Sequence, residues 1–278
     1  VGKQRSWLLK PWPYVGAAVL CIAIVAIALA AKARAPVGEP AGGTDAAAAT
    51  ATPGQTETTQ SPAEVTLTGE DIVIGTISPN SGALSIYGAA VVNGVDLAVE
   101  EINASGGILG RRVSVVNADD QFAPAEALNA FNSLVSQGVG LIVGSVTSGC
   151  TAAITKAADE EKVVLITPSA TADSVTTKDD YVFRACYVDS SQGAIAAYYA
   201  KQAGYRDVGV VYCKGDSYSA GLYNAFADAA KTYGLNIKDV EATSSLDVQN
   251  YANEFAAMVT SGVEFVYAPF YYDTIGPL

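Results

Sequence analysis

From Asp71 onward the chain alternates between short apolar runs and longer stretches in which apolar residues recur every three or four positions. "DIVIGTIS" (71–78) is an apolar run that turns polar at its end; Val91, Val95, Ala98, Val99 and Ile102 then recur at helical spacing until "SGG" (105–107) stops the pattern. The rhythm repeats in "RRVSVVNADD" with a helix at 124–137, in "VGLIVGS" with a helix at 149–161, and in "VVLITPS". A second series opens at "YVFRACYVD" (181–189). It continues with a helix at 190–203, the strand "DVGVVYC", a helix at 217–233, a strand at 236–242, a helix at 248–261 and the strand "VEFVYAP". Nearly continuous apolar strands, each followed by a helix, predict an α/β fold with parallel sheets covered on both faces. Two series predict two lobes, at residues 70–187 and 188–278.

The first 69 residues follow other rules. Lys3, Arg5 and Lys10 precede an uncharged stretch from Tyr14 to Ala31, which as a helix would span ~27 Å, close to the thickness of a bilayer core. Residues 1–35 therefore read as a signal peptide or membrane anchor, with the chain after Lys32 exported to the extracytoplasmic face, anchored or secreted. Small residues around Ala31, Ala33 and Ala35 suit a signal peptidase, while Lys32 and Arg34 suit the stop flank of an uncleaved anchor, so both readings stay open. Residues 36–69 are rich in Ala, Thr, Pro, Gly and Gln and contain no aromatic residue. Such a segment buries too little apolar surface to offset its ordering entropy and reads as a disordered linker.

Charge narrows the partners. Five of the 16 basic residues lie in the first 34 positions, where there is no acid, so eleven remain against 28 acidic ones, a balance of −17. A body this acidic repels phosphate backbones, which argues against nucleic acid as a partner. Histidine is absent, which removes Ser-His-Asp triads, Cys-His dyads and His-ligated zinc from consideration.

In open parallel sheets ligands bind beyond the carboxyl ends of the strands. In the first series those ends carry "SPNSGALSIYG" (78–88), "NADDQFAP" (117–124), "SVTSG" (145–149) and "TPSATA" (167–172), three of them dense in hydroxyls and small residues. The helix after "SVTSG" aims its free N–H groups and positive dipole end into the same crevice, a setting for an anion such as a carboxylate. Ser148 and the amides around Gly149 and Cys150 are the candidates; the plainer role for Ser148 is a helix N-cap. A nucleotide reading lacks its fingerprint. "GTISPNSG" (75–82) has no Gly-Lys-Ser/Thr ending, and no Gly-x-Gly-x-x-Gly follows the first strand.

The stretches "DIVIGTISPNSGALSIYGAAVVNGVDLAVEEINASGGILGRRVSVVNADDQFAPAEA", "IVGSVTSGCTAAI", "VLITPSATA", "VFRACYVDSSQG" and "GDSYSAGL" together resemble the branched-chain amino-acid-binding proteins of ABC transporters. The resemblance implies two Rossmann-like lobes, the type I periplasmic-binding-protein fold, with an amino acid or amide ligand in the cleft, ABC permease subunits as partners, and no cofactor, metal or catalytic residue. It implies that Ser148, with Gly149 nearby and the Thr171 hydroxyl, holds the ligand carboxylate. Ser169 would offer its backbone carbonyl to the ammonium, Tyr87 would wall the pocket, and Tyr218 and Tyr271 would close over it from the second lobe.

Against the same family, the chain is expected to be C-terminally incomplete, stopping before the segments that finish both lobes and before an acidic residue that pairs with the ligand ammonium. Phe122 and Thr147 stand where some members carry a first-lobe disulfide. Cys213 ends an apolar strand and reads as a buried thiol; a Cys150–Cys186 bond is the expectation for the other two. Three function classes follow: a solute receptor for an importer, the sensing domain of a membrane receptor, and a nucleotide-using enzyme. The third has no titratable pair at a strand end to support it, since Asp119 and Asp120 are adjacent and alternate faces when extended.

Overall fold

The computed structural model describes residues 67–176, 181–246 and 251–275. The membrane-anchor and linker expectations for residues 1–66 lie outside them, and no helix among the described residues is long and apolar enough to cross a membrane.

The first sheet contains β1 (Ile72–Ser78), β2 (Val113–Asp119), β3 (Leu141–Gly144), β4 (Val164–Thr167) and β5 (Val182–Arg184), all parallel, in the order β2-β1-β3-β4-β5. Helices α1 (Ser85–Ala104), α2 (Pro124–Ser136) and α3 (Ser148–Glu161) connect its strands. After α4 (Asp189–Gln202), the second sheet contains β6 (Asp207–Cys213), β7 (Asn236–Thr243) and β8 (Phe265–Tyr267), also parallel, in the order β7-β6-β8. It carries α5 (Ser217–Tyr233) and α6 (Ala252–Ser261), and a short α7 (Tyr272–Ile275) follows β8.

β5, which the alternation of elements counts at the head of the second series but the lobe bounds at 70–187 keep with the first, belongs to the first sheet. β5 pairs in register with β4, Leu165 opposite Val182 and Ile166 opposite Phe183. Apolar content marks a strand but not its partner, because pairing is set by which neighbour can bury the same face.

Strand order also locates a crevice in the first sheet. The connections from β1 and β3 leave in opposite directions, to β2 and to β4, and loops part at such a switch point. In the first sheet the turn after β3 depends on Gly144, whose φ is +141°, and a Cβ there would run into the Ile77 carbonyl of β1. The sheet is held by a core that includes Phe131 and Leu134 of α2, Ile142 of β3, Ile154 of α3 and Leu165 of β4, each at most 1% exposed. β6 is buried on both faces: Val208 and Val210 pack with Phe226 and Ala230 of α5, and Val211 and Cys213 with Met258 and Phe270.

Two sequence expectations are corrected. α1 forms as predicted, but its apolar stripe is incompletely covered: Val91, Val95 and Val99 are half-buried while Ala98 and Ile102 are exposed. The Cys150–Cys186 bond does not form, and all three described cysteines are free. Cys150, in the first turn of α3, faces the core, and the Cys186 thiol instead donates to the Ala170 carbonyl at 3.5 Å.

Candidate functional site

At the switch point of the first sheet, the loops after β3 and β4 brace each other with side chains bonded to backbone. Thr167 Oγ1 donates to the Ser145 carbonyl at 2.6 Å and accepts the Ala170 N–H at 2.9 Å. The Thr151 hydroxyl reaches the Thr147 carbonyl at 2.8 Å, Ser169 donates to the Val146 carbonyl at 2.7 Å, and Ser145 donates to the buried Asp120 carboxylate. Arg184 spans from β5 to the Ala170 and Ala172 carbonyls, both at 3.0 Å. Small hydroxyl residues are abundant here because each ties one loop to another with little volume.

Ser148 is not the cap of α3. The N-cap position is Thr147, whose side chain makes no capping bond; Ser148 Oγ, 1% exposed, accepts the Ala172 N–H at 3.2 Å and keeps its own proton to donate. The positive end of α3 is thus left open to whatever occupies the crevice.

A cavity of about 160 Å³ opens at this point. Six of the seven residues expected from sequence line it: Tyr87, Ser148, Ser169, Thr171, Tyr218 and Tyr271. The seventh, Gly149, faces an adjacent cavity. The aromatic wall comes from the first turns of α1 and α5 and the segment after β8. Tyr271 stacks on Tyr218 with 5.0 Å between centroids and meets Tyr87 edge-on at 6.4 Å, and Tyr272 meets Tyr87 edge-on at 5.0 Å. The Tyr272 hydroxyl also donates to the Ala83 carbonyl at 2.6 Å, which joins the β8 end to the loop after β1. Burial pushes the Tyr218 phenol up to about 12 and that of Tyr271 well above its ordinary value, so both are neutral hydrogen-bonding groups.

Sequence reasoning missed Val146, Thr147 and Gln192, which also line the cavity, and Asp189 beside it. Gln192 and Asp189 lie in "DSSQG", inside the quoted resemblance, where nothing in composition distinguishes them from a solvated helix start. The structure buries Asp189 to 1% exposure, with its N–H donating to the Thr171 carbonyl at 2.9 Å and its side chain against Gly221 of α5. Burial raises its carboxyl to about 6, against the pull of the Thr171 hydroxyl and Arg184; Asp173 and Asp216 push it the same way as burial. Both Asp189 carboxylate oxygens, Thr171 Oγ1 and Gln192 Nε2 are buried without a well-formed hydrogen bond, the Thr171 hydroxyl lying only near enough to Asp189 to favour its charged form. Buried polar groups are nearly always paired in a finished structure, which makes this cluster a candidate for contact with a polar group. Among the described residues no group of acidic and cysteine side chains could hold a metal ion.

The profile described as periplasmic binding protein matches residues 71–275. The chain belongs to that family. It is 34% identical over 203 residues to a Leu/Ile/Val-binding protein homolog of Brucella melitensis, covering 71% of this chain and 54% of the relative. To the Leu/Ile/Val-binding protein of Escherichia coli it is 28% identical over 211 residues, covering 75% and 57%. Solved structures agree: the leucine binding protein LivK of Thermotoga maritima superimposes with a TM-score of 0.69 at 31% identity over 74% of this chain and 58% of that one. The branched-chain amino acid transporter substrate binding protein LivJ of Streptococcus pneumoniae, solved with isoleucine, gives 0.68 at 34% identity over 73% and 57%. The chain spans a little over half the length of these relatives. The parallel α/β architecture expected from sequence is that of this family.

Proposed function

We propose that the chain is the ligand-receiving part of an extracytoplasmic solute receptor for an ABC importer, and that it binds a branched-chain or similar α-amino acid between lobes 70–187 and 188–278. The observation that carries this reading is the single cavity that combines the Ser148 hydroxyl, the uncapped start of α3, and the buried Thr171 hydroxyl backed by the Asp189 carboxylate. A zwitterion needs donors for its carboxylate and acceptors for its ammonium a few ångströms apart. Ser148 and the first-turn amides of α3 supply the donors; Thr171, the Ser169 carbonyl and Asp189 supply the acceptor side. Tyr87, Tyr218 and Tyr271 enclose the ligand and exclude water.

The energetics suffice. Charge-assisted hydrogen bonds contribute roughly 1.5–3 kcal/mol each, and burial of one aliphatic side chain about 1.5–3 kcal/mol. A micromolar complex needs about 8 kcal/mol net of association costs. Because each lobe provides part of the enclosure, the ligand favours the closed arrangement, and closure is what permease subunits would read. Calorimetry with leucine, isoleucine and valine tests the reading. Ser148→Ala is expected to weaken binding about tenfold or more, ~1.4 kcal/mol; unchanged affinity would remove Ser148 from the site. On this reading the segment from Tyr14 to Ala31 delivers or tethers the domain outside the cell membrane, and a full-length protein fractionating with membranes tests the tether.

A further inference from the structure

On the other side of Thr147 from the tyrosine-walled cavity lies a larger one, about 320 Å³, also between the loops of the two sheets. Its lining includes the start of α3 with Gly149 and Cys150, and Asp216 and Ser217 at the start of α5 with Ser244 after β7. Thr147 lines both cavities. Tyr271, in the first, packs edge-on against Phe122, in the second, with 5.5 Å between centroids. Thr147 is 2% exposed and its hydroxyl has no hydrogen-bond partner; the Tyr271 phenol, 8% exposed, lies beside Asp216 and favours the charged form of that carboxylate.

The chemistry of the two helix starts is complementary. α3 presents donors: Thr147 caps none of its first-turn N–H groups, and its dipole places positive potential there. α5 presents an acceptor: Asp216 is buried, and its Oδ1 takes the Ser219 N–H at 2.8 Å as a cap. Donors and a carboxylate in one cavity suit a group with a carbonyl on one side and N–H on the other. A second carboxylate would meet the like charge of Asp216, and an aliphatic end would leave the Thr147 hydroxyl and first-turn amides unpaired.

We propose that this second cavity is a subsite for a primary carboxamide, so that the ligand is an α-amino acid whose side chain ends in an amide rather than a plain branched hydrocarbon. The proposal rests on the α-amino-acid reading above and names its substrate class. Calorimetry on the full chain with L-glutamine, L-methionine, L-glutamate and L-leucine tests it. L-Glutamine should bind about tenfold or more tighter than L-methionine, which matches its length without the amide, and than L-glutamate. Thr147→Val and Tyr271→Phe, which remove only hydroxyls, should each lower the ratio of glutamine to leucine affinity roughly fivefold or more. Glutamine binding no tighter than methionine, or variants that weaken glutamine and leucine equally, overturns the subsite while leaving the amino-acid receptor standing. Failure of all four to bind overturns both.

Discussion

Thr171 and Asp189 show how one residue sets the behaviour of another in this site. The Thr171 hydroxyl is buried without a well-formed hydrogen bond next to a carboxylate whose own oxygens lack one too. An ammonium group beside them would relieve both. In the ligand-free protein the Asp189 carboxyl sits at about 6, above its ordinary 3.8, because burial disfavours the charge. The native state therefore holds that proton more tightly than the unfolded chain between roughly pH 4 and 6, so this group adds stability as pH falls through that window and loses it as pH rises. Asp189→Asn should stabilise the ligand-free protein at pH 7.5 and flatten its melting temperature between pH 4 and 6, read by thermal melts at several pH values. The same variant should bind amino acids more weakly at pH 7.5, and its affinity should lack the decline expected of the parent below about pH 6. A pH profile unchanged by the substitution would show that Asp189 does not face the ligand.

The elements are arranged to keep these residues in place. α3 begins where Gly144 lets β3 pass against β1, so the hydroxyls that follow land at the crevice rather than in the core. α4 and α5 approach closely at Gly193, where a Cβ would lie 2.6 Å from both the Ala225 Cβ and the Phe226 N. That approach brings Gly221 of α5 against Asp189 and holds Gln192 at the cavity wall. Gly193→Val should cost roughly 1–3 kcal/mol by overpacking, measured by denaturant unfolding, and should reduce ligand affinity as well because the two helices separate at the site. Phe131→Ala, in the first core and not among the residues that line the cavity, should cost about 3–5 kcal/mol through the void it leaves with little change in affinity for the fraction that remains folded.

In the molecule as a whole, the segments beyond the carboxyl ends of the strands of two sheets face one another. The Tyr271, Tyr218 and Tyr87 rings and the Tyr272 bond to the Ala83 carbonyl connect them. Tyr272→Phe removes that bond and keeps the ring, so it should favour opening by about 0.5–1.5 kcal/mol. A drop in ligand affinity of roughly two- to tenfold, carried by faster dissociation in stopped-flow measurements, is the expected result. Equal dissociation rates would place the bond outside the closing motion.

Element positions, the parallel α/β class and most cavity residues could be read from the sequence, because strand and helix periods and the polar ends of strands are local properties of the chain. Ser148 follows from the rule that strand ends meet at one edge, whereas Ser169, Thr171 and the three tyrosines come from the family resemblance. The β5 partner, the free thiols, the partly uncovered face of α1, and the roles of Thr147, Gln192 and Asp189 could not be read in this way. Each depends on which surfaces a residue meets across tens or hundreds of positions. An aspartate at a helix start has the same local pattern whether water or Gly221 lies beside it, and only the packing of α4 on α5 decides which.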